Sequence, residues 1–286
     1  MQLSLSPETN KRLESAVERM PAFPKSVQKI LEISRNVNCT PKEIMGVIEK
    51  DPVMTLKILK VINSAYFSLP YKITSLSRAV VYIGINTIKN LALSLAAVGI
   101  LPKKNEAGFD TDRYLQHSLI TAGIARQLAF RYAPDDIDPM DCYIVALLHD
   151  FGKVVFAQFM VEEFHEALKI SEQTGCPLHE AEAKVIGVNH ATVGAMLVKA
   201  WHFSDDVIEC IKGHHDKQVA DSLMMECLYL ADRISKRVSH KKLRPDPNPD
   251  WKAKRLGLTV ERATALLGDL DYFIKEAEIV LQASAA

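Results

Sequence analysis

An all-α fold is predicted by three features of the sequence. Apolar residues recur with a helical rather than a strand period in nearly every patterned segment. Alternating runs rich in β-branched residues are scarce. Helix-start signals, a capping residue followed by proline or by glutamate three positions on, stand at the head of the early segments. At 286 residues, against about 150 per domain, one large or two modest domains are expected, with enough chain to bury a sizeable core.

The elements follow in order. Ser6-Pro7 supplies an N-cap and a proline at the first helical position, ahead of Leu13, Val17 and Met20. Thr40-Pro41-Lys42-Glu43 is a capping box, with Ile44, Val47 and Ile48 behind it. Asp51-Pro52 opens the next helix, in which Val53, Leu56, Leu59 and Ile62 recur at i, i+3 spacing. Asn86 is read as the cap of a long apolar helix ending near Ile100. The first break in composition is Pro102 to Gly108, which places the domains at 1–105 and 106–286. Beyond it come a helix from about Asp112 to Tyr132, another over Asp141 to Leu148, and a series of shorter ones. Thr259–Leu267 and Leu270–Leu281 form two closing helices. No internal repeat is visible.

Lysine plus arginine number 35 and aspartate plus glutamate 35, so the net charge is zero. That balance removes the global signature of a nucleic-acid or electrostatic membrane binder and leaves room only for a local patch. One basic stretch, residues 236–255, holds eight Lys or Arg against two Asp. A solvated loop accounts for it; docking of an acidic partner or nucleotide is the functional alternative. The five cysteines are scattered and form no CxxC pair, which argues against a disulfide framework or zinc ribbon and fits a reducing cytoplasm. The start, MQLSLSPETNKRLES, is not a signal peptide, and the longest membrane-like stretch, Leu91 to Leu101, falls short of the roughly 20 residues of a span. A soluble cytoplasmic protein is expected.

Five of the nine histidines stand in suggestive places. His149-Asp150 ends an apolar helix and precedes Phe151-Gly152-Lys153. His117 sits mid-helix among Leu115, Leu119, Ile120 and Ile124; His190 heads a helix; His214-His215 precedes Asp216; Asp232 follows the apolar Leu228–Ala231. Imidazole plus carboxylate suits borderline divalent metals. Taken singly, each residue also has a bland role: a core histidine, a helix start, a polar turn, an aspartate paired with Arg233 or facing water. Helical neighbours point about 100° apart, so His214 and His215 either serve two ions or lie at a frayed helix end. Periodicity alone gives candidates and no site. No Ser-His-Asp or Cys-His motif competes, and Gly152-Lys153 lacks the glycine spacing of a phosphate loop.

His149-Asp150-Phe151-Gly152-Lys153 resembles the HD-x-G-K signature of the HD superfamily of metal-dependent phosphohydrolases. The first half resembles the HDOD family, a regulatory bacterial branch of that superfamily. Its carriers are Met20 to Pro24, Asp51-Pro52-Val53-Met54-Thr55, Leu59, Asn63-Ser64-Ala65-Tyr66, Ile73 to Val80 and Tyr82-Ile83-Gly84, within a match from about residue 15 to 235. The resemblance implies a helical bundle packed on an HD-like helical domain, a role in signal transduction, and usually loss of catalysis through missing metal ligands. This chain departs from that habit. Compared with HD-GYP phosphodiesterases, all seven ligand positions are filled: His117, His149, Asp150, His190, His214, His215 and Asp232.

By that resemblance Asp150 would bridge two divalent ions (Fe, Mn, Ni or Zn), with His117, His149 and Asp232 completing one and His190, His214 and His215 holding the other. Asp150 and Lys153 would then be the catalytic residues, Lys153 as a point-charge contact for a substrate phosphate. The Gly-Tyr-Pro signature that follows the double histidine in HD-GYP proteins is absent, since His215 runs into DKQVADSLM. Arg113 stands where trinuclear relatives carry a carboxylate, which speaks against a third ion. Two functions are therefore expected in competition. One is a regulatory HDOD protein retaining a dinuclear site, with signalling proteins as partners; the other is an active phosphohydrolase on a nucleotide or cyclic dinucleotide.

Overall fold

The computed structural model describes residues 7–34, 36, 39–102, 105–133, 135–216, 222–239 and 253–284. In chain order the helices are α1 (Pro7–Arg19), α2 (Lys25–Ser34), α3 (Pro41–Ile48), α4 (Pro52–Ile62), α5 (Leu76–Gly99), α6 (Thr111–Tyr132), α7 (Pro139–Leu148) and α8 (Gly152–Phe159). They continue as α9 (Val161–Thr174), α10 (Leu178–Val185), α11 (His190–Ala200), α12 (Asp205–Gly213), α13 (Leu223–Ser239), α14 (Val260–Leu267) and α15 (Asp271–Ser284). The fold is all-α; among the described residues the one extended pairing is an isolated bridge between Ala253 and Leu258.

Short polar side chains start many of these helices by accepting otherwise orphaned N–H groups. Thr40 accepts from the Glu43 backbone while the Glu43 carboxylate accepts from the Thr40 backbone, closing the expected capping box on α3. Asp51 caps α4, Asp110 caps α6, Asp138 caps α7 and Asn189 caps α11 in the same manner. Ser6, the expected cap of α1, lies outside the described residues.

Two expectations about the first half are corrected. In α4 the buried positions are Met54, Ile58, Val61 and Ile62, whereas Val53 and Leu56 are exposed by 63% and 69%. Spacing of three alone drifts around a helix, and the 54/58/61/62 pattern tracks its 3.6-residue period better. The long helix is capped by Ser75, not by Asn86, which lies within α5. It is interrupted at Gly84 (φ +76°, ψ 156°), a conformation that costs glycine little and other residues more.

The chain forms two compact units that are discontinuous in sequence. One comprises residues 1–21 and 101–268, the other 22–100 and 269–286. In the second, α2, α3, α4 and α15 all pack on α5. In the first, α6 packs on α7 and α13, α8 on α11, α11 on α12, and α9 on α10, with α1 against α8 and α11.

Among the described residues two stretches, Leu76–Gly99 and Pro139–Phe159, are long and apolar enough to cross a membrane by composition, where Leu91–Leu101 is the longest such stretch expected from the sequence. Their most apolar windows are 50% and 83% buried within the protein, as core helices are.

Candidate metal centre

The seven candidate ligands come together inside the first unit, most of them where the backbone enters or leaves a helix. His117 projects from the middle of α6, and Asp232 from α13, which packs against it. His149 caps the end of α7, Asp150 follows it, and Lys153 lies in the first turn of α8. His190 opens α11; His214 caps the end of α12, with His215 next in the turn. The end of α12 is thus how two adjacent histidines reach one place. Gly152 sets the approach of α8 to α11: a Cβ there would lie 2.0 Å from the His190 carbonyl oxygen.

Asp150 is the hub. Its Oδ2 lies 3.4 Å from His149 Nε2 and 3.8 Å from His117 Nε2. Its Oδ1 lies 3.0 Å from His190 Nε2 and 3.6 Å from His214 Nε2. One carboxylate therefore turns each oxygen toward a different pair of histidines. Asp232 Oδ1 is 3.2 Å from His117 Nε2 and 3.7 Å from His149 Nε2, on the first side. On the second, His215 Nε2 and His190 Nε2 face each other at 2.8 Å. Asp150, His190, His214 and His215 form one group able to hold an ion; His117, His149 and Asp150 form another.

The outward nitrogens are held. His149 Nδ1 donates to the Ala146 carbonyl at 2.7 Å and His214 Nδ1 to the Ile211 carbonyl at 2.6 Å. His190 Nδ1 contacts Glu182 at 2.6 Å, and that same carboxylate accepts the His190 backbone N–H. His117 Nδ1 meets the Ser235 hydroxyl at 3.0 Å. A proton on Nδ1 leaves the lone pair of each Nε2 pointing inward, the arrangement that metal-ligating histidines require. Correspondingly, His117 Nε2, His149 Nε2, His214 Nε2, Asp150 Oδ1 and Asp232 Oδ1 are buried without an aligned hydrogen bond among the described residues. Such orphaned groups are costly unless something occupies the space between them.

Protonation follows the same logic. Burial alone would raise the Asp150 carboxyl, yet His149, Lys153 and His190 hold it well below the usual carboxylate range. Asp232 is likewise held well below that range, against its burial, by Lys236, His117 and His149. Burial lowers His117, takes His214 down to about 4 and puts His215 well below an ordinary histidine. Burial would lower His190 too, but Glu182 and Asp150 together outweigh it and raise His190. Neutral imidazoles and ionised carboxylates are the ligand forms of these side chains, and the donor set fits borderline divalent ions.

Lys153 Nζ is 2.5 Å from Asp150 Oδ2. Asp232 pairs with Lys236 at 2.6 Å, and the Arg233 guanidinium lies over the Tyr229 ring. Four contributors escaped the sequence reading: Glu182, Ser235, Lys236 and His179. Ser235 and Lys236 fall three and four residues after Asp232, the same-face spacing that would have found them. The His179 ring stacks on His215. His165 does play a structural part, with Nδ1 against the Ala107 carbonyl, while His240 and residues 240–252 of the basic stretch lie outside the described residues.

The HDOD domain family matches residues 20–217. The chain belongs to the HDOD family. A solved HDOD domain protein of unknown function from Geobacter sulfurreducens shares 22% identity with this HDOD protein over 97% of each chain, with a TM-score of 0.72. A Shewanella amazonensis SB2B protein provisionally described as a metal-dependent phosphohydrolase superposes over 98% of this chain and all of its own, at 17% identity and a TM-score of 0.58. Among curated relatives, an uncharacterized Treponema pallidum (strain Nichols) protein is 27% identical over 217 residues, 75% of this chain. The HDOD chain spans 42% of that relative's length. At these identities the solved neighbours establish the shared helical fold.

Proposed function

We propose that this HDOD protein is a bacterial signal-transduction module built around a dinuclear metal centre. The observation that carries the reading is Asp150, with one oxygen facing His117 and His149 and the other facing His190 and His214. His117, His149, Asp150 and Asp232 would hold one divalent ion (Fe, Mn, Ni or Zn), and Asp150, His190, His214 and His215 the other. None of the five cysteines is joined in a disulfide, in keeping with a cytoplasmic setting. Two-component and motility proteins are the partners to examine first; nucleic acid and membrane are not part of this reading. Purified protein is expected to carry about two equivalents of metal, since each subsite holds one ion. Asp150→Ala is expected to lose both, because it serves both sides. Wild-type protein that holds no metal after expression in supplemented medium would refute the reading.

A second reading, hydrolysis of a nucleotide or cyclic dinucleotide, is favoured by Lys153. Divalent ions bound at such a centre supply Lewis acidity for phosphoryl transfer. The chain's own part is then to place the Lys153 ammonium, side chain 16% exposed, beside the Asp150 carboxylate where a phosphate would approach. Glu182 and the Ala146 and Ile211 carbonyls keep the imidazoles turned toward the same space. A screen of cyclic dinucleotides, nucleotides and bis-p-nitrophenyl phosphate with added Mn separates the two. Turnover abolished in Asp150→Ala supports catalysis; metal-loaded protein without turnover supports the regulatory module.

A further inference from the structure

Four of the five histidines at the centre are oriented through Nδ1: His149, His190 and His214 donate to the Ala146 carbonyl, the Glu182 carboxylate and the Ile211 carbonyl, and His117 meets the Ser235 hydroxyl. His215 is the exception. Its described hydrogen bond is at Nε2, toward His190, and among the described residues nothing holds its Nδ1. It sits in the turn beyond the end of α12. What meets it is another imidazole. The His179 ring stacks face to face on it, with centroids 4.0 Å apart and planes 14° from parallel. His214 and His190 pack on it at steeper angles, 46° and 90°.

His179 is in the first turn of α10, and three residues later the same helix carries Glu182. Residues three apart share a helix face. That face of α10 therefore meets both His190, through the Glu182 carboxylate, and His215, through the His179 ring. No other described group stacks so nearly parallel on His215.

We propose that His179 is a positioning residue for the second metal subsite: its ring fixes the plane of His215 so that Nε2 stays turned toward His190. The inference rests on the dinuclear reading above. It assigns His179 no bond to the metal and asks only for a flat ring, so phenylalanine can replace it and alanine cannot.

Full-length wild type, His179→Ala, His179→Phe and His215→Ala are compared by equilibrium dialysis against Mn2+ followed by elemental analysis, with thermal melts to confirm folding. Wild type is expected to bind two ions. His179→Ala is expected to keep the first at wild-type affinity and to bind the second at least about tenfold more weakly, the scale of a lost orienting contact. His179→Phe is expected to restore it, and His215→Ala to lose the second ion. Wild-type binding by His179→Ala, equal loss of both ions, or failure of His179→Phe to rescue would each overturn the proposal while leaving the dinuclear reading intact. Wild type that binds no Mn2+, or a His215→Ala variant that keeps both ions, would remove the reading beneath it.

Discussion

At the scale of single residues, Glu182 does the most for its size. It is fully buried, and one oxygen accepts both the His190 backbone N–H, at 2.8 Å, and His190 Nδ1, at 2.6 Å. Its other oxygen has no hydrogen-bond partner among the described residues. A buried carboxylate so incompletely satisfied is costly, and the attraction to His190 is its compensation. Glu182→Gln keeps the shape and drops the charge. The second ion is expected to bind about 10-fold more weakly while the first is unaffected, as for other outer-shell changes. Unchanged affinity for the second ion, read by Mn2+ dialysis, would show that the carboxylate only fills space. This residue marks where the sequence stops being readable. His149-Asp150 and His214-His215 announce themselves by residue type and adjacency. Glu182 acts through a partner eight positions away, across a turn, so no periodicity connects the two. His179 is hidden for the same reason, since its neighbour His215 comes from the turn after α12.

At the scale of elements, the centre depends on how closely α8 and α11 approach. A Cβ on Gly152 would lie 2.0 Å from the His190 carbonyl oxygen and 2.8 Å from the Gly194 nitrogen. Both are backbone atoms at the start or middle of a helix and cannot swing aside. Gly152→Ala must therefore push the two helices apart, carrying His190 away from Asp150. A loss of about 1–3 kcal/mol is expected, the usual cost of overpacking, together with weaker binding of the second ion. Gly46→Ala is the control: nothing lies within 4 Å of its added Cβ, and α3 gains from a better helix former. Equal melting temperatures for wild type and Gly152→Ala would contradict the argument. The sequence makes helix starts legible because a cap is local: Thr40 and Asp51 act within three residues. Which stripe of α4 is buried was not legible. Val53 and Leu56 are as apolar as Ile58, and only the packing of α4 against α5 and α15 decides the phase.

For the whole molecule, the charge that sums to zero conceals a protein whose interior gathers titratable groups, and that makes its metal-free stability depend on pH. Burial lowers His117, takes His179 and His214 to about 4, and puts His215 well below the ordinary value. In the unfolded chain each returns to about 6.5. Between roughly pH 4 and 6.5 the unfolded state therefore binds more protons than the native one at these sites, and stability rises with pH. His190 has the opposite sign: raised against its burial by Glu182 and Asp150 together, its contribution is full below about 6.5 and is lost as pH climbs through its folded value. Asp150 and Asp232 add stability above the unfolded carboxylate value of about 3.9, lost only as pH falls through their depressed folded values. Four lowered histidines against one raised one fix the sign of the sum. The melting temperature of chelator-treated protein is expected to climb from about pH 4.5 to about 6.5 and then to level off, since above that range only His190 still titrates among these groups. Metal-loaded protein should climb more steeply over the same interval, because protons and ions compete for the same Nε2 lone pairs. Scanning calorimetry at stepped pH, with and without Mn2+, reads both slopes. A metal-free melting temperature that is flat or falls toward pH 6.5 would mean that the inward histidines are not neutral in the folded state.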